Sequence, residues 1–514
     1  MKAFISILFL LVQCQSLLAQ EDIIRVIDST YVANGTLGEN GKEGEWEYLS
    51  SKNQLIAKGN YSSDLATGTW KFYRNNDLII ETKYENGVLT GEFKKYETGR
   101  INERGQYEGN VKVGRWRSYH PNGYLKSEGE YAANKKAGEW KFYHTNGSVA
   151  EITDYANDVR EGASVVYDEF GYPISEGNYR GGMLNGVWKE YFDTGDLALL
   201  GKYTLGEKDS IWVEYNEYGN KRFEQNYLAG KPHGEWRYFT GANERLERVE
   251  SYKLGLKHGR WAEYFRNGSI KREFFYKNDQ ADSSYREFHS DGVKSVEGQF
   301  KFDLKTGTWL NFYESGILYS IGDYKGGFRN GLWKYFSEEG NLEEEGKYRN
   351  DMKLGQWINY HSNGKVKSLG SYINDEEDGL WGRFYNNEQL KQDENWKRGR
   401  LIDISSYYSI KGDTLNKGSF NRGNGSRFTY YDDGSIRSEE FYEDGFAEGT
   451  WKFYHPRGEI SAIGDYQKSL RIGTWTFYFN NGKKESEGKY ENGVQTGKWT
   501  YYNRREKVVN TITY

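Results

Sequence analysis

Gly138-Glu139-Trp140-Lys141-Phe142-Tyr143-His144-Thr145-Asn146-Gly147 is the stretch that decides the reading of this 514-residue chain. It runs glycine, one residue, tryptophan, two residues, tyrosine, then a short polar turn that ends in Asn-Gly. The phrase returns about every 24 residues, from Gly44 to Gly497, in twenty copies. Glycine opens seventeen of the twenty, so the position is a backbone requirement, where φ > 0 or a close approach of a neighbouring strand excludes a side chain. Fifteen of the sixteen tryptophans stand two residues after this anchor. An aromatic row follows five residues after the anchor, and a tyrosine row, including Tyr131, Tyr155 and Tyr348, lies seven residues before the next anchor.

A period of this length signals a repeat architecture. Each unit reads as a β-hairpin. Its first strand carries Trp-x-x-Tyr, as in Glu139 to His144. A turn such as Pro121-Asn122-Gly123 or Asn481-Gly482 follows, since Asn and Gly both accept φ > 0. The second strand ends on the tyrosine row, and a second polar loop such as Glu491-Asn492-Gly493 leads to the next anchor. A lone hairpin is not stable in water, so the units must stack. The expected fold is all-β: an elongated single-layer stack of about twenty antiparallel β-hairpin repeats. Trp and the tyrosine at the fifth place differ by three residues. Either both faces of the sheet carry rings, or a bulge restores one face.

Outside the repeats, residues 1–19 read as a secretory signal peptide. Lys2 is a minimal basic start, Phe4 to Val12 is an apolar run too short to span a bilayer, and Ala19 ends a cleavage site. Export to the periplasm, cell surface or medium is therefore expected. Residues 20–43 read as a leading cap strand and link, and 44–514 as the repeat array. Cys14 is the single cysteine, so disulfides do not hold the mature fold. The formal net charge of −5 is spread over a long chain and gives no footprint for nucleic acid. No later segment is apolar enough to cross a membrane.

The search for chemistry returns rows rather than sites. His120, His144, His289, His361 and His455 all stand six residues after an anchor, and His233 and His258 immediately precede one. No zincin, phosphate-loop or nucleophile-elbow motif is present. The acidic run Asn374-Asp375-Glu376-Glu377-Asp378 lacks calcium-loop spacing and reads as a solvated loop. No catalytic, metal-binding or cofactor residue is expected, and the protein is read as a non-enzyme. The position after each Trp is often basic, for example Lys71, Arg117, Lys141 and Lys334. This row reads as edge protection, or alternatively as a contact for anionic lipid. The stretch 386–430 is the most degenerate, with Ile402, Ile404 and Arg427 on key rows and Trp396 one place off the tyrosine row. It reads as a worn repeat, or alternatively as a local groove.

The phrase Gly-x-Trp-x-x-Tyr-x-x-Asn-Gly, with its later Tyr and Asn-Gly, resembles the MORN repeat variant of bacterial proteins labelled YwqK-type antitoxins. His233-Gly234 and His258-Gly259 are similar to the ordinary MORN repeat. The resemblance covers about residues 35 to 514. It implies elongated sheets of hairpins that act as scaffolds, bind proteins and are linked to membrane lipids; the antitoxin label implies neutralising a partner. The functional expectation is an exported β-repeat scaffold that binds a macromolecule, most readily a protein, along an aromatic face. That face would be represented by Trp140, Tyr143, Trp188, Trp236, Trp333, Trp357, Trp381 and Trp396. The alternatives are an envelope glycan binder and an immunity-type antitoxin.

Overall fold

The computed structural model describes residues 31–514. The expected signal peptide, and the leading segment up to residue 30, lie outside the described residues. Among the described residues every regular element is a β-strand. The chain divides into two units, one up to Leu256 and one from Lys257 onward. In each, consecutive hairpins pair in chain order into an open antiparallel sheet, as the periodicity predicts.

One repeat serves for all. Lys135–Tyr143 pairs on one side with Leu125–Ala132 and on the other with Val149–Ala156. The register slips between Ala137 and Lys141, where Gly138 sits at φ 65°. Ser210 and Ser283 replace the anchor glycine and still take φ 61° and 118°. The anchor is thus a built-in bulge that bends each Trp strand.

The turns divide their roles differently from the sequence expectation. The two-residue turns with both residues at positive φ are the loops between repeats. They include Ala133-Asn134 (50°, 66°), Asn157-Asp158 (53°, 69°) and Asn492-Gly493 (49°, 82°). At the Asn-Gly tips only the glycine has positive φ, for example Gly123 at 95°. Gly123 N–H donates to the His120 carbonyl at 2.9 Å and His120 N–H to the Tyr124 carbonyl at 2.8 Å. These tips are therefore longer loops, and the asparagine is free for another task.

The part of the leading segment that is described, Tyr31–Gly38, is an edge strand paired with Gly41–Ser50. Near the other end Val508–Thr513 pairs with Val494–Tyr502. Within the second unit the sheet is interrupted. One sheet ends with Arg400–Ile404 and a new one begins at Gly425–Tyr430, with a small pair, Tyr407–Tyr408 and Thr414–Leu415, between them.

Candidate binding surface

Tryptophan is the centre of each repeat, and the structure places it inside. Trp140 lies over Gly129 of the preceding strand, and Trp357 and Trp381 lie over Gly346 and Gly370 in the same way. A Cβ on Gly346 would stand 2.1 Å from the Trp357 ring. A glycine nine residues before the anchor is therefore as necessary as the anchor itself, and the sequence reading missed it. The signal was present in Gly59, Gly105, Gly129, Gly201, Gly346 and Gly488, each two residues before the tyrosine row. The indole N–H finds a backbone carbonyl ten residues earlier: Trp140 to Glu130 at 3.0 Å, Trp357 to Lys347 at 3.2 Å, Trp381 to Ser371 at 3.1 Å. Tyrosines pack edge-on at its flanks, with Tyr131–Trp140 at 5.1 Å and Tyr348–Trp357 at 5.0 Å. Such edge-to-face pairs contribute about 0.5–1.5 kcal/mol each beyond burial.

A cation closes the remaining side. In many repeats the residue two before the anchor is a lysine or arginine whose charge lies over the ring. Lys112 is 3.8 Å from the centre of Trp116, Lys353 4.0 Å from Trp357, Lys208 4.1 Å from Trp212 and Lys136 4.5 Å from Trp140. Burial lowers the pKa of Lys136, Lys208 and Lys305. Partly desolvated cation–π contacts of this kind contribute ~1–2 kcal/mol.

These contacts locate the expected aromatic binding residues. Trp140, Trp333, Trp357 and Trp381 are 3, 2, 0 and 0% exposed, with glycine beneath them. A partner resting on this surface would not meet their ring faces. Trp188 is half-buried and turned, its N–H on the Glu190 carboxylate at 2.9 Å rather than on a carbonyl. Trp236 is half-buried because Gln225 stands where other repeats have the receiving glycine. Trp396 packs between two buried clusters and donates to Glu394 at 2.9 Å.

Tyr143 lies on the opposite face, which answers the question of parity: both faces carry rings. Trp140 shares its face with Phe142, stacked at 6.1 Å, whereas the Tyr143 hydroxyl reaches Glu128 at 2.8 Å. Burial and then Glu128 push the Tyr143 phenol up to about 12. Glu128 also pairs with Arg115 at 3.0 Å and Arg117 at 3.1 Å. The same arrangement recurs at Glu345, which receives Tyr360 at 2.7 Å and Lys334 at 3.0 Å. The basic row after Trp is thus an internal ion-pair ladder; Lys71, Lys141, Arg286 and Lys452 are paired likewise. It neither guards an edge nor offers unpaired charge to a lipid surface.

Four of the seven histidines are staples between repeats. His120 Nε2 lies 2.9 Å from the Tyr143 carbonyl, His144 3.0 Å from Tyr167, His361 3.1 Å from Phe384 and His455 2.9 Å from Tyr478. A carbonyl only accepts, so Nε2 carries the proton. Tyr313, Tyr385 and Tyr431 perform the same task with their hydroxyls. His289 stands on the row without a partner for Nε2. The asparagine tips bond similarly: Asn146 Nδ2 donates to the Glu169 carbonyl at 3.0 Å and Asn363 Nδ2 to Asn386 at 2.7 Å. At the other rim Asp158, Asp279, Asp351 and Asp375 accept from the backbone N–H of Lys136, Lys257, Arg329 and Lys353 at 2.7–2.8 Å. The acidic run at 374–378 therefore closes a turn: beyond Asp375, Asp378 accepts from Arg398 N–H at 3.1 Å and Glu377 pairs with Arg383 at 3.0 Å.

The degenerate stretch 386–430 is a filled junction and not a groove. Trp396 pairs with Gly379 as Tyr155 pairs with Gly138, so it sits on the tyrosine row after all. The next anchor is then Asp403, one place beyond Ile402. Arg427 occupies a tryptophan slot and is buried, with Glu394 at 2.5 Å and the Gln392 side-chain amide oxygen at 2.9 Å. Arg383 holds the other Glu394 oxygen at 2.9 Å. Burial alone would raise the Glu394 carboxyl, but Arg427 and Arg383 outweigh it and hold it at about 2. Leu401, Ile404, Phe420, Tyr442, Ala447 and Trp451 pack beside this network, and Leu401 N–H donates to the Gly445 carbonyl at 3.0 Å.

Exposed apolar side chains stand at the hairpin tips, as at Phe170 and Tyr218, and in a recurring row on the rim of turns between repeats. In many repeats an aliphatic or aromatic side chain three residues before the anchor faces water. Leu65, Val159 and Met183 do so in the first unit, and Leu304, Phe328, Met352, Leu470 and Val494 in the second. Among the described residues no group of three or more His, Cys, Asp or Glu is placed to hold a metal ion, and no helix is long and apolar enough to cross a membrane.

The family model for the MORN repeat variant matches nine segments: 112–133, 136–157, 257–278, 305–325, 329–350, 353–374, 424–444, 447–468 and 471–492. No curated protein matches in sequence. Similar solved structures include one titled as the crystal structure of TcdB2-TccC3-Cdc42, at 9% identity and a TM-score of 0.13. Another is titled as the Photorhabdus luminescens Tc holotoxin pore with TccC3-D651A, at 9% identity and a TM-score of 0.12. The alignments cover 89% and 98% of this chain but 28% and 32% of those chains, so it spans about a third of their length or less.

Proposed function

From the premise that this chain belongs to the MORN repeat variant family, we propose that it is an exported, non-enzymatic scaffold that binds another protein along its turn rims. The observation that carries this reading is the exposed apolar row, repeated from Leu65 to Val494 at one place in the hairpin. Repeated exposed apolar side chains mark interaction surfaces. Export rests on the sequence of residues 1–19. The non-enzymatic reading rests on the rows of His, Glu and Tyr, whose polar atoms are engaged between repeats. The covering of the tryptophans by glycine and lysine counts against stacking of envelope sugars on those rings. A toxin neutralised by the chain is one kind of protein partner within this reading.

The test is capture from an envelope extract of the source cells by immobilised mature protein. A defined partner should be retained, and the combined variant L304S/F328S/M352S should lose it. Capture of nothing, or capture indifferent to these substitutions with purified cell wall retaining the protein instead, would overturn the proposal.

A further inference from the structure

Across each two-residue turn the residues on either side face each other, and cross-strand partners share one face of a sheet. In the second unit four successive turns place a particular pair there. Lys277 faces Gln280, Lys301 faces Leu304, Lys325 faces Phe328 and Arg349 faces Met352. All eight are exposed. None of the four cations has an ion pair; Lys301 lies 5.8 Å from the exposed ring of Phe302. The nearby carboxylates are engaged: Asp303 accepts from Ala281 N–H at 2.6 Å, Asp351 from Arg329 and Asp323 from the Thr308 hydroxyl at 2.7 Å. Arg180 faces Met183 in the same way in the first unit, but the run of successive pairs is local. In the next turns Ile373 faces Glu376, and later Glu443 faces Phe446 and Glu491 faces Val494. Basic side chains over four repeats thus line one side of a short stripe that is apolar over three of them, on the face opposite the tryptophans.

We infer that this stripe binds an extended acidic peptide segment of a partner protein, with a carboxylate at every third residue and apolar residues between. Charge complementarity selects the acidic side chains. Spacing selects the period. Successive hairpins advance by two strands, ~9.6 Å. A polyproline II segment rises ~3.1 Å per residue, so three residues advance ~9.3 Å and return to the same side. Carboxylates at positions one, four, seven and ten would meet Lys277, Lys301, Lys325 and Arg349 in turn. The adjacent apolar residues would lie against Leu304, Phe328 and Met352. The inference rests on the scaffold reading above and names the chemistry of its partner.

The probe is a fluorescein-labelled twelve-residue peptide of four Glu-Pro-Leu triplets, titrated with mature full-length protein and read by anisotropy. Binding should weaken about tenfold in K301E/K325E and again at 0.5 M salt, because the charges are exposed and screened. F328S should weaken it as well. Four Glu-Pro-Leu-Gly quartets, out of phase with the repeats, and four Lys-Pro-Leu triplets should bind at least tenfold more weakly than the triplet probe. Equal affinity for the triplet and quartet peptides would overturn the inference, as would indifference to K301E/K325E. Binding of phosphatidylserine vesicles with that residue dependence, and not of the peptide, would overturn it in favour of a membrane surface. Unchanged hydrogen exchange in both variants establishes that they fold. If K301E/K325E still captures the envelope partner, the peptide inference fails while the scaffold proposal stands.

Discussion

Gly346→Ala puts the repeat's central contact to the test. Gly346 does not have positive φ, so alanine suits its backbone and the effect isolates the space above it. The added Cβ would stand 2.1, 2.3 and 2.5 Å from Cδ2, Cε2 and Cγ of Trp357. The nearest atoms are the fused centre of a ring that is 0% exposed, so the ring must leave its seat. Leaving breaks the N–H bond to Lys347, the edge contact with Tyr348 and the position under Lys353. Loss of a buried large aromatic costs ~3–5 kcal/mol. Hydrogen exchange over 342–360, followed by mass spectrometry in the full chain, should accelerate by about 10²- to 4 × 10³-fold. In a Trp357→Ala background the same substitution should cost nothing or stabilise by ~0.4–1 kcal/mol, since only the backbone effect of Gly→Ala remains. If Gly346→Ala costs as much without the ring as with it, the account of the tryptophan seat is wrong.

Arg427→Met should destabilise the junction by ~3–5 kcal/mol, because Glu394 is left buried against Arg383 alone, and Arg427→Met with Glu394→Leu should recover much of that in urea unfolding. The Glu394 carboxyl, held at about 2 against ~4.3 in an unfolded chain, contributes about 3 kcal/mol. Its folded value is depressed, so that stability is present above pH ~4.3 and is lost as pH falls toward 2. The stability gap between wild type and Glu394→Gln should therefore shrink over that interval, and a constant gap would refute the assignment. His361→Tyr should be nearly neutral, since tyrosine fills the same row at Tyr313 and Tyr385, whereas His361→Ala should cost ~1 kcal/mol in local exchange at 384.

The hairpin series was legible because its signals are short in range. The anchor glycine, the tryptophan two places on and the turn residues report local backbone geometry, and a period of 24 makes each of them repeat. What stayed hidden lay between strands. Gly346 and Trp357 are eleven residues apart, and only the register of the sheet joins them. In the sequence Lys353 is one lysine among many, and only its place over the Trp357 ring distinguishes it. The rings were therefore read as a surface, and the cover above and below them was missed. Tyr143 and Trp140 fall on opposite faces because the register shift between Phe142 and Tyr143 places its extra residue, Ala150, in the partner strand and leaves the alternation of the Trp strand intact, which the strand alone could not reveal. At 386–430 the repeat count slipped by one residue at Ile402. Arg427 looked like decay because its partners, Gln392 and Glu394, stand more than thirty residues earlier.

The staples between repeats reach forward by a constant interval: 23 residues for His144 to Tyr167 and Asn146 to Glu169, 22 for Lys136 to Asp158. A bond with a fixed stride is indifferent to where in the array it sits. Within a regular run of repeats, excision or duplication of one whole period brings each such donor to an equivalent acceptor, whereas a change of a single residue strands every staple that crosses it. Length in this architecture is thus a heritable variable, open to unequal recombination in steps of one hairpin. A repeat sheet of this kind can be lengthened without inventing any new contact.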